Sequence, residues 1–142
     1  MTQKYEFASP GWFKFLHETM ETLVRDAPDE LRWSVCEVFT DVPEHLSLTP
    51  DQVASWHCRI RGSDVKFGHG EIHDADFKVV ADYQTVLPLA RLVLGDGPDA
   101  ESRVAEALEK AVGDGKIRIE GSRESRPTRL ETLHDAMARV TA

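Results

Sequence analysis

Polar positions nearly vanish in the middle of this chain, and the rest of the pattern is organised around that stretch. Asp76-Phe-Lys-Val-Val-Ala81 alternates as a half-buried strand does, and Asp82 stands where a helix N-cap belongs. From Tyr83 to Leu94 the spacing predicts a helix whose Val86, Leu87, Leu89, Ala90, Leu92, Val93 and Leu94 leave little polar face before Gly95 closes it. A helix apolar on nearly every side must be covered all round or line a cavity. Pro88 inside it predicts either a start one or two residues after Tyr83 or a softened segment that can move to admit a ligand. An amphipathic helix from about Asp99 to Val112 follows, with Val104, Leu108, Ala111 and Val112 on its buried stripe. A short strand, Lys116-Ile-Arg-Ile-Glu120, then lies between Gly115 and Gly121.

Upstream, Ser9-Pro10 is a helix-start signal, and the helix runs to about Asp26 with Trp12, Phe13, Leu16, Met20, Leu23 and Val24 on one stripe. Ala27-Pro28-Asp29 breaks it. Leu31 to Thr40 alternates, with Trp33, Val35 and Phe39 on one side and Arg32 and Ser34 on the other. Glu44 to Gln52 reads as a loop. Trp56, Cys58 and Ile60 then alternate with His57, Arg59 and Arg61, and Gly62-Ser63 turns the chain back through Val65 and Phe67. Near the end, Ser122 to Arg126 is a polar link, and Pro127 opens a helix with Leu130, Leu133, Met137 and Val140 on one stripe. The layout is α+β. Its expected frame is a mostly antiparallel sheet of about five strands with an N-terminal helix, two helices before the last strand and a C-terminal helix.

Length and charge narrow the function. With 142 residues the chain suffices for one domain, 1–142, with a real core and no structural metal. Seventeen basic against twenty-five acidic residues give a net charge of −8, which on average repels a phosphate backbone or an anionic membrane, so no nucleic-acid partner is expected. No apolar run approaches a membrane span, which argues against stable membrane insertion, and Met-Thr-Gln-Lys-Tyr-Glu lacks a signal core; a cytoplasmic protein is expected. Cys36 and Cys58 sit in strand patterns as small buried apolar residues, with a reactive Cys58 beside His57 as the alternative. His69, Glu71 and His73 continue the parity of Val65 and Phe67. On an unbroken strand they would share one face and could hold a divalent metal; Gly68 and Gly70 predict instead a bend and a solvated tip.

With these residues placed, the chain resembles the sterol carrier protein family, the non-specific lipid-transfer fold, over nearly its whole length. The resemblance rests on Phe7-Ala-Ser-Pro-Gly-Trp12, on Asp74-Ala-Asp-Phe-Lys-Val-Val leading to Asp82-Tyr83, on Leu89-Ala-Arg-Leu ahead of Gly95, and on Gly115-Lys-Ile-Arg-Ile-Glu-Gly121. It implies an apolar tunnel between sheet and helices that takes sterols, fatty acids, acyl thioesters or phospholipids, with no catalytic group and no cofactor. By position, Tyr83, Val86, Leu87, Ala90, Val93, Leu94, Val104, Leu108 and Met137 would border it, and Trp12, Phe13, Leu16 and Phe39 complete the expected wall. Tyr83, Gln84 and Arg91 are the polar groups expected to orient a head group. Asp96 to Asp114 is longer and more acidic than the family's usual link, and Ser122 to Arg126 is more polar; both fall near the expected mouth.

Three functions are compatible with this pattern. The first is non-catalytic binding and carrying of a lipid, fatty acyl, sterol or terpenoid, with hand-over to an enzyme of the same pathway. A second is an isomerase or hydratase on a small α+β cone, metal-assisted in one version through His69, Glu71 and His73. Such cones put their helices first and the curved sheet last, unlike this order. The third is an interaction module whose apolar helices dock on a partner, which predicts an exposed apolar patch.

Overall fold

The computed structural model describes residues 3–142. Helix α1 spans Pro10–Leu23, its first turn capped by Ser9, whose Oγ accepts from the Trp12 N–H at 3.3 Å. It ends before the expected Asp26 because Asp26 takes a left-handed φ of 62°, ahead of Pro28. Strands β1 (Arg32–Thr40), β2 (Ala54–Arg61) and β3 (Asp64–His69) form an antiparallel meander, with Gly62 at φ 58° in the tight turn. Strand β4 (Phe77–Asp82) crosses back to the other side of β1 and pairs with it in parallel, Val35 opposite Phe77 and Phe39 opposite Ala81. Strand β5 (Ile117–Gly121) closes that edge antiparallel to β4, so the order is β3-β2-β1-β4-β5. The sheet is mixed and mostly antiparallel, an α+β fold as expected.

Central placement explains the composition of β1. A strand flanked on both sides and packed on both faces buries residues of both parities along its middle. Trp33, Val35 and Phe39 point to the helical face, while Ser34, Cys36 and Val38 are buried on the opposite face. There the chain from Glu71 to Asp76 lies across the sheet. The Asp76 carboxylate accepts from the Ser34 N–H at 2.9 Å, and Glu71 pairs with the nearly buried Lys78. Arg59 and Asp74 add an exposed ion pair at 2.8 Å.

Helix α2 spans Tyr83–Arg91 and begins at Tyr83 itself, because the Asp82 carboxylate accepts from both the N–H (3.1 Å) and the hydroxyl (2.7 Å) of Thr85. The later start predicted from Pro88 is therefore corrected: Pro88 is tolerated in the interior, where it leaves the Gln84 carbonyl without its helical donor. The helix also stops short of Leu94, since Leu92 turns extended at ψ 118°. Helix α3 spans Pro98–Gly113. The expected C-terminal helix is shorter than its periodicity suggests: a 3-10 turn at Thr128–Leu130 precedes helix α4, Leu133–Ala138. Its stripe still docks, with Leu130, Met137 and Val140 all buried. The N-terminal segment joins this end, the Tyr5 N–H donating to the Val140 carbonyl at 2.7 Å and the Trp12 indole N–H donating to Thr141 Oγ1 at 3.0 Å.

Candidate ligand cavity

The helical face of the sheet is not filled to its centre. A cavity of about 240 Å³ lies between it and the helices. Its floor is built by strand parity: Val35, Glu37 and Phe39 of β1, Trp56 of β2, Phe77 and Val79 of β4, and Ile117 and Ile119 of β5 all point the same way. Trp12 and Leu16 of α1, Val86, Leu89 and Ala90 of α2, Val104 and Leu108 of α3, and Leu133, His134 and Met137 of α4 form the roof. Apart from buried Tyr83 and exposed Pro88, the apolar side chains of α2 are only half-buried, so the near-absence of a polar face on this helix is explained by a wall that meets open space.

The sequence-predicted wall is placed in part. Trp12, Leu16, Phe39, Val86, Ala90, Val104, Leu108 and Met137 line the cavity. Phe13, Tyr83, Leu87, Val93 and Leu94 do not. Phe13 turns toward β3, 4.9 Å from the His69 ring and 5.4 Å from Trp12. Tyr83 is buried against Phe7, its hydroxyl donating to the Phe7 carbonyl at 3.0 Å, which spends the group expected to hold a head group. Leu87 packs against the core from α2, and Val93 and Leu94 lie past the helix end, where the Leu94 and Gly95 N–H groups donate to the Asp135 carboxylate at 2.7 and 3.0 Å. Gln84 and Arg91 are exposed, and Arg91 donates to the Ala142 carbonyl at 2.7 Å. The polar groups of the cavity are others: Glu37, His134 and Arg123.

Glu37 sits mid-strand in the cavity floor and is half-buried, the open cavity leaving part of its carboxyl accessible. Its Oε1 accepts from the Trp56 indole N–H at 3.0 Å, and among the described residues its other oxygen has no protein partner. Burial among apolar side chains pushes its carboxyl up to about 7, against the opposing pull of that hydrogen bond. At neutral pH it exchanges readily between acid and carboxylate. His134 Nε2 is 2.8 Å from the Leu92 carbonyl and so ties α4 to the end of α2. Arg123 is exposed while also lining the cavity, which places it where the cavity meets solvent.

The metal reading of β3 is overturned by geometry. The strand ends at His69, and Gly70 at φ 108° swings the chain to the opposite face of the sheet. His69 stays on the helical face, edge-on to Phe13, with Nδ1 3.3 Å from the Ser55 carbonyl. Glu71 binds Lys78 on the far face, and exposed His73 stands 3.8 Å from Glu71. Among the described residues no group of His, Cys, Asp or Glu is gathered as a metal site. The reactive-thiol reading fails too: Cys58 is wholly buried on the helical face, and burial pushes its thiol up to about 12, leaving it protonated.

Among the described residues, the exposed apolar patch required of an interaction module is likewise missing. Among the described residues the exposed large hydrophobic side chains are Leu48, in the loop before β2, and Val112, on α3. Nor is any described helix long and apolar enough to cross a membrane.

An α+β sheet with helices held over one face, around an apolar cavity, defines a small class of folds, and comparison in three dimensions identifies which. The chain is similar to a conserved hypothetical protein of Thermus thermophilus put forward as a sterol carrier protein, with a TM-score of 0.52 and 13% identity over 100% of this chain and 96% of that one. It is also similar to the sterol carrier protein domain 2 of Helicoverpa armigera, with a TM-score of 0.50 and 18% identity over 98% of this chain and 96% of that one. No protein-family model and no curated protein matches the chain in sequence. The fold is that of the sterol carrier proteins.

Proposed function

We propose that this protein binds a hydrophobic small molecule, of lipid, fatty acyl, sterol or terpenoid class, in the cavity between sheet and helices and carries it without catalysis through the cytoplasm. The observation that carries the reading is the cavity wall, in which all four helices and four of the five strands present apolar side chains to one unfilled space. The sterol carrier protein fold supports it, and so do the two unpaired buried cysteines, which suit a reducing compartment. Energetics are favourable. Removing about 300 Å² of ligand surface from water at about 25 cal/mol per Å² yields roughly 7 kcal/mol, enough to exceed the low end of the cost of immobilisation. Release to an enzyme of the same pathway completes the carrier role, with the half-buried α2 wall as the side that would open.

Native mass spectrometry of the protein as purified, followed by solvent extraction, tests this directly. The expected result is a mass increment that disappears on extraction and is recovered as an apolar compound. A bare chain that also fails to brighten an apolar fluorescent probe overturns the proposal.

A further inference from the structure

One group in the cavity wall does not fit a container for plain hydrocarbon. A carboxyl at the centre of an apolar floor is costly to bury, and a neutral side chain of the same length would fill the same space without that cost. Glu37 nonetheless faces the cavity, held by the Trp56 indole N–H at one oxygen and leaving the other toward the space. We propose that Glu37 is the polar anchor of the cavity and that the ligand is an apolar molecule bearing a hydroxyl group, which donates to the free oxygen of the Glu37 carboxylate. This rests on the carrier reading above and narrows it to one chemical class, apolar alcohols.

The donor count selects the hydroxyl. A ligand carboxylate would instead need Glu37 to keep its proton as the donor, so its affinity would fall as pH rises, opposite in sign to that of a hydroxyl donating to the ionised Glu37. An ammonium brings three donors to a site that offers one open acceptor, and would leave the others unpaired in an apolar wall. A hydroxyl needs one strong acceptor, and Glu37 supplies it with Trp56 holding the carboxylate in place. The neighbouring charged groups are few. His134 from α4 and Arg123 from the link after β5 line the same cavity, whereas α1, α2 and α3 contribute only Trp12, Leu16, Val86, Leu89, Ala90, Val104 and Leu108, none of which titrates.

Because the hydroxyl donates to the carboxylate, binding and ionisation of Glu37 are linked, and each favours the other. The probe is 1-dodecanol, which does not itself titrate, measured by displacement of an apolar fluorescent dye from the whole protein at about pH 5.5 and about pH 8.5. In the unsubstituted protein its affinity is expected to rise with pH by about threefold or more, while the affinity of the uncharged dye changes far less. Glu37→Gln is expected to flatten the 1-dodecanol profile and retain dye binding; any contribution of His134 survives in that variant and cancels in the comparison. An affinity for 1-dodecanol that is level or falls with pH, or a rise that Glu37→Gln preserves, overturns the anchor while leaving the cavity reading intact. Failure of both dye and alcohol to bind at either pH overturns the carrier reading itself, and the anchor with it.

Discussion

Replacing Phe39 by alanine is expected to cost about 3–5 kcal/mol of folding stability, the range for deleting a buried aromatic ring. Phe39 is 1% exposed, lies on the central strand, and packs 4.8 Å from the Phe7 ring, which in turn meets Trp12 at 4.9 Å and Tyr83 at 5.4 Å. That aromatic group joins the N-terminal segment, α1, α2 and the sheet. The cavity already lies beside Phe39, so neighbouring side chains have little reason to collapse inward, and the vacated volume adds to space that is open. Domains of this size are stable by only about 5–15 kcal/mol, so the loss removes a large share of the total. Urea unfolding checks it. A midpoint shift worth less than about 1 kcal/mol would mean that the ring is not part of a packed core.

Glu37→Gln should stabilise the protein, and only above acidic pH. The Glu37 carboxyl ionises at about 7 when folded, against an ordinary value of 4.5. From pH 4.5 upward the unfolded chain gives up this proton while the folded chain keeps it, so stability falls as pH rises through that window and levels off above about 7. The accumulated penalty is up to about 3 kcal/mol. Glutamine keeps an acceptor for the Trp56 indole and carries no charge, so the variant should match the parent near pH 4.5 and exceed it by up to about 3 kcal/mol at pH 8. Glu71, held below the usual carboxylate range by its hydrogen bond to Lys78, acts in the opposite direction, its contribution being lost as pH falls below the ordinary value. The two windows therefore separate. Parallel stability profiles for parent and variant from pH 5 to 8 would show that the apolar wall does not desolvate the Glu37 carboxyl.

Much of this architecture was legible because strand and helix periods leave different marks. Ser9-Pro10 fixed the start of α1, and alternation in β1, β2, β4 and β5 identified the strands within a few residues. The parallel pairing of β4 with β1 left no such mark, since the same alternation serves either neighbour. Helix ends were misjudged where tertiary contacts decide them: α2 stops when Leu92 turns extended and the Asp135 and His134 side chains take up its end. For the site, position on the correct face was readable for Val86, Ala90, Val104 and Leu108, but a stripe broad enough to include Leu87 cannot say which side chain meets the void. Tyr83 was misread because a tyrosine hydroxyl in an apolar setting needs a partner, and the nearest was the Phe7 carbonyl rather than a ligand.

Glu37 was missed although its signal was present. Val35 and Phe39 mark one face of β1 as buried, and Glu37 is the charged residue between them on that same face. A lone charge on an otherwise apolar strand face is the pattern by which a cavity group of this kind announces itself. His134 gave a similar sign, beside Leu133 at the edge of the α4 stripe.

The measurement that bears most directly on the carrier account is titration of an apolar fluorescent dye into the protein and into Ala90→Phe. Ala90 lines the cavity from α2, and a benzyl group there projects into unfilled space rather than into packed core. Saturable binding to the parent is expected, with a loss of at least about tenfold, about 1.4 kcal/mol, in the variant and little change in its unfolding midpoint. Equal binding by both proteins, or by neither, would contradict a ligand seated between the sheet and α2.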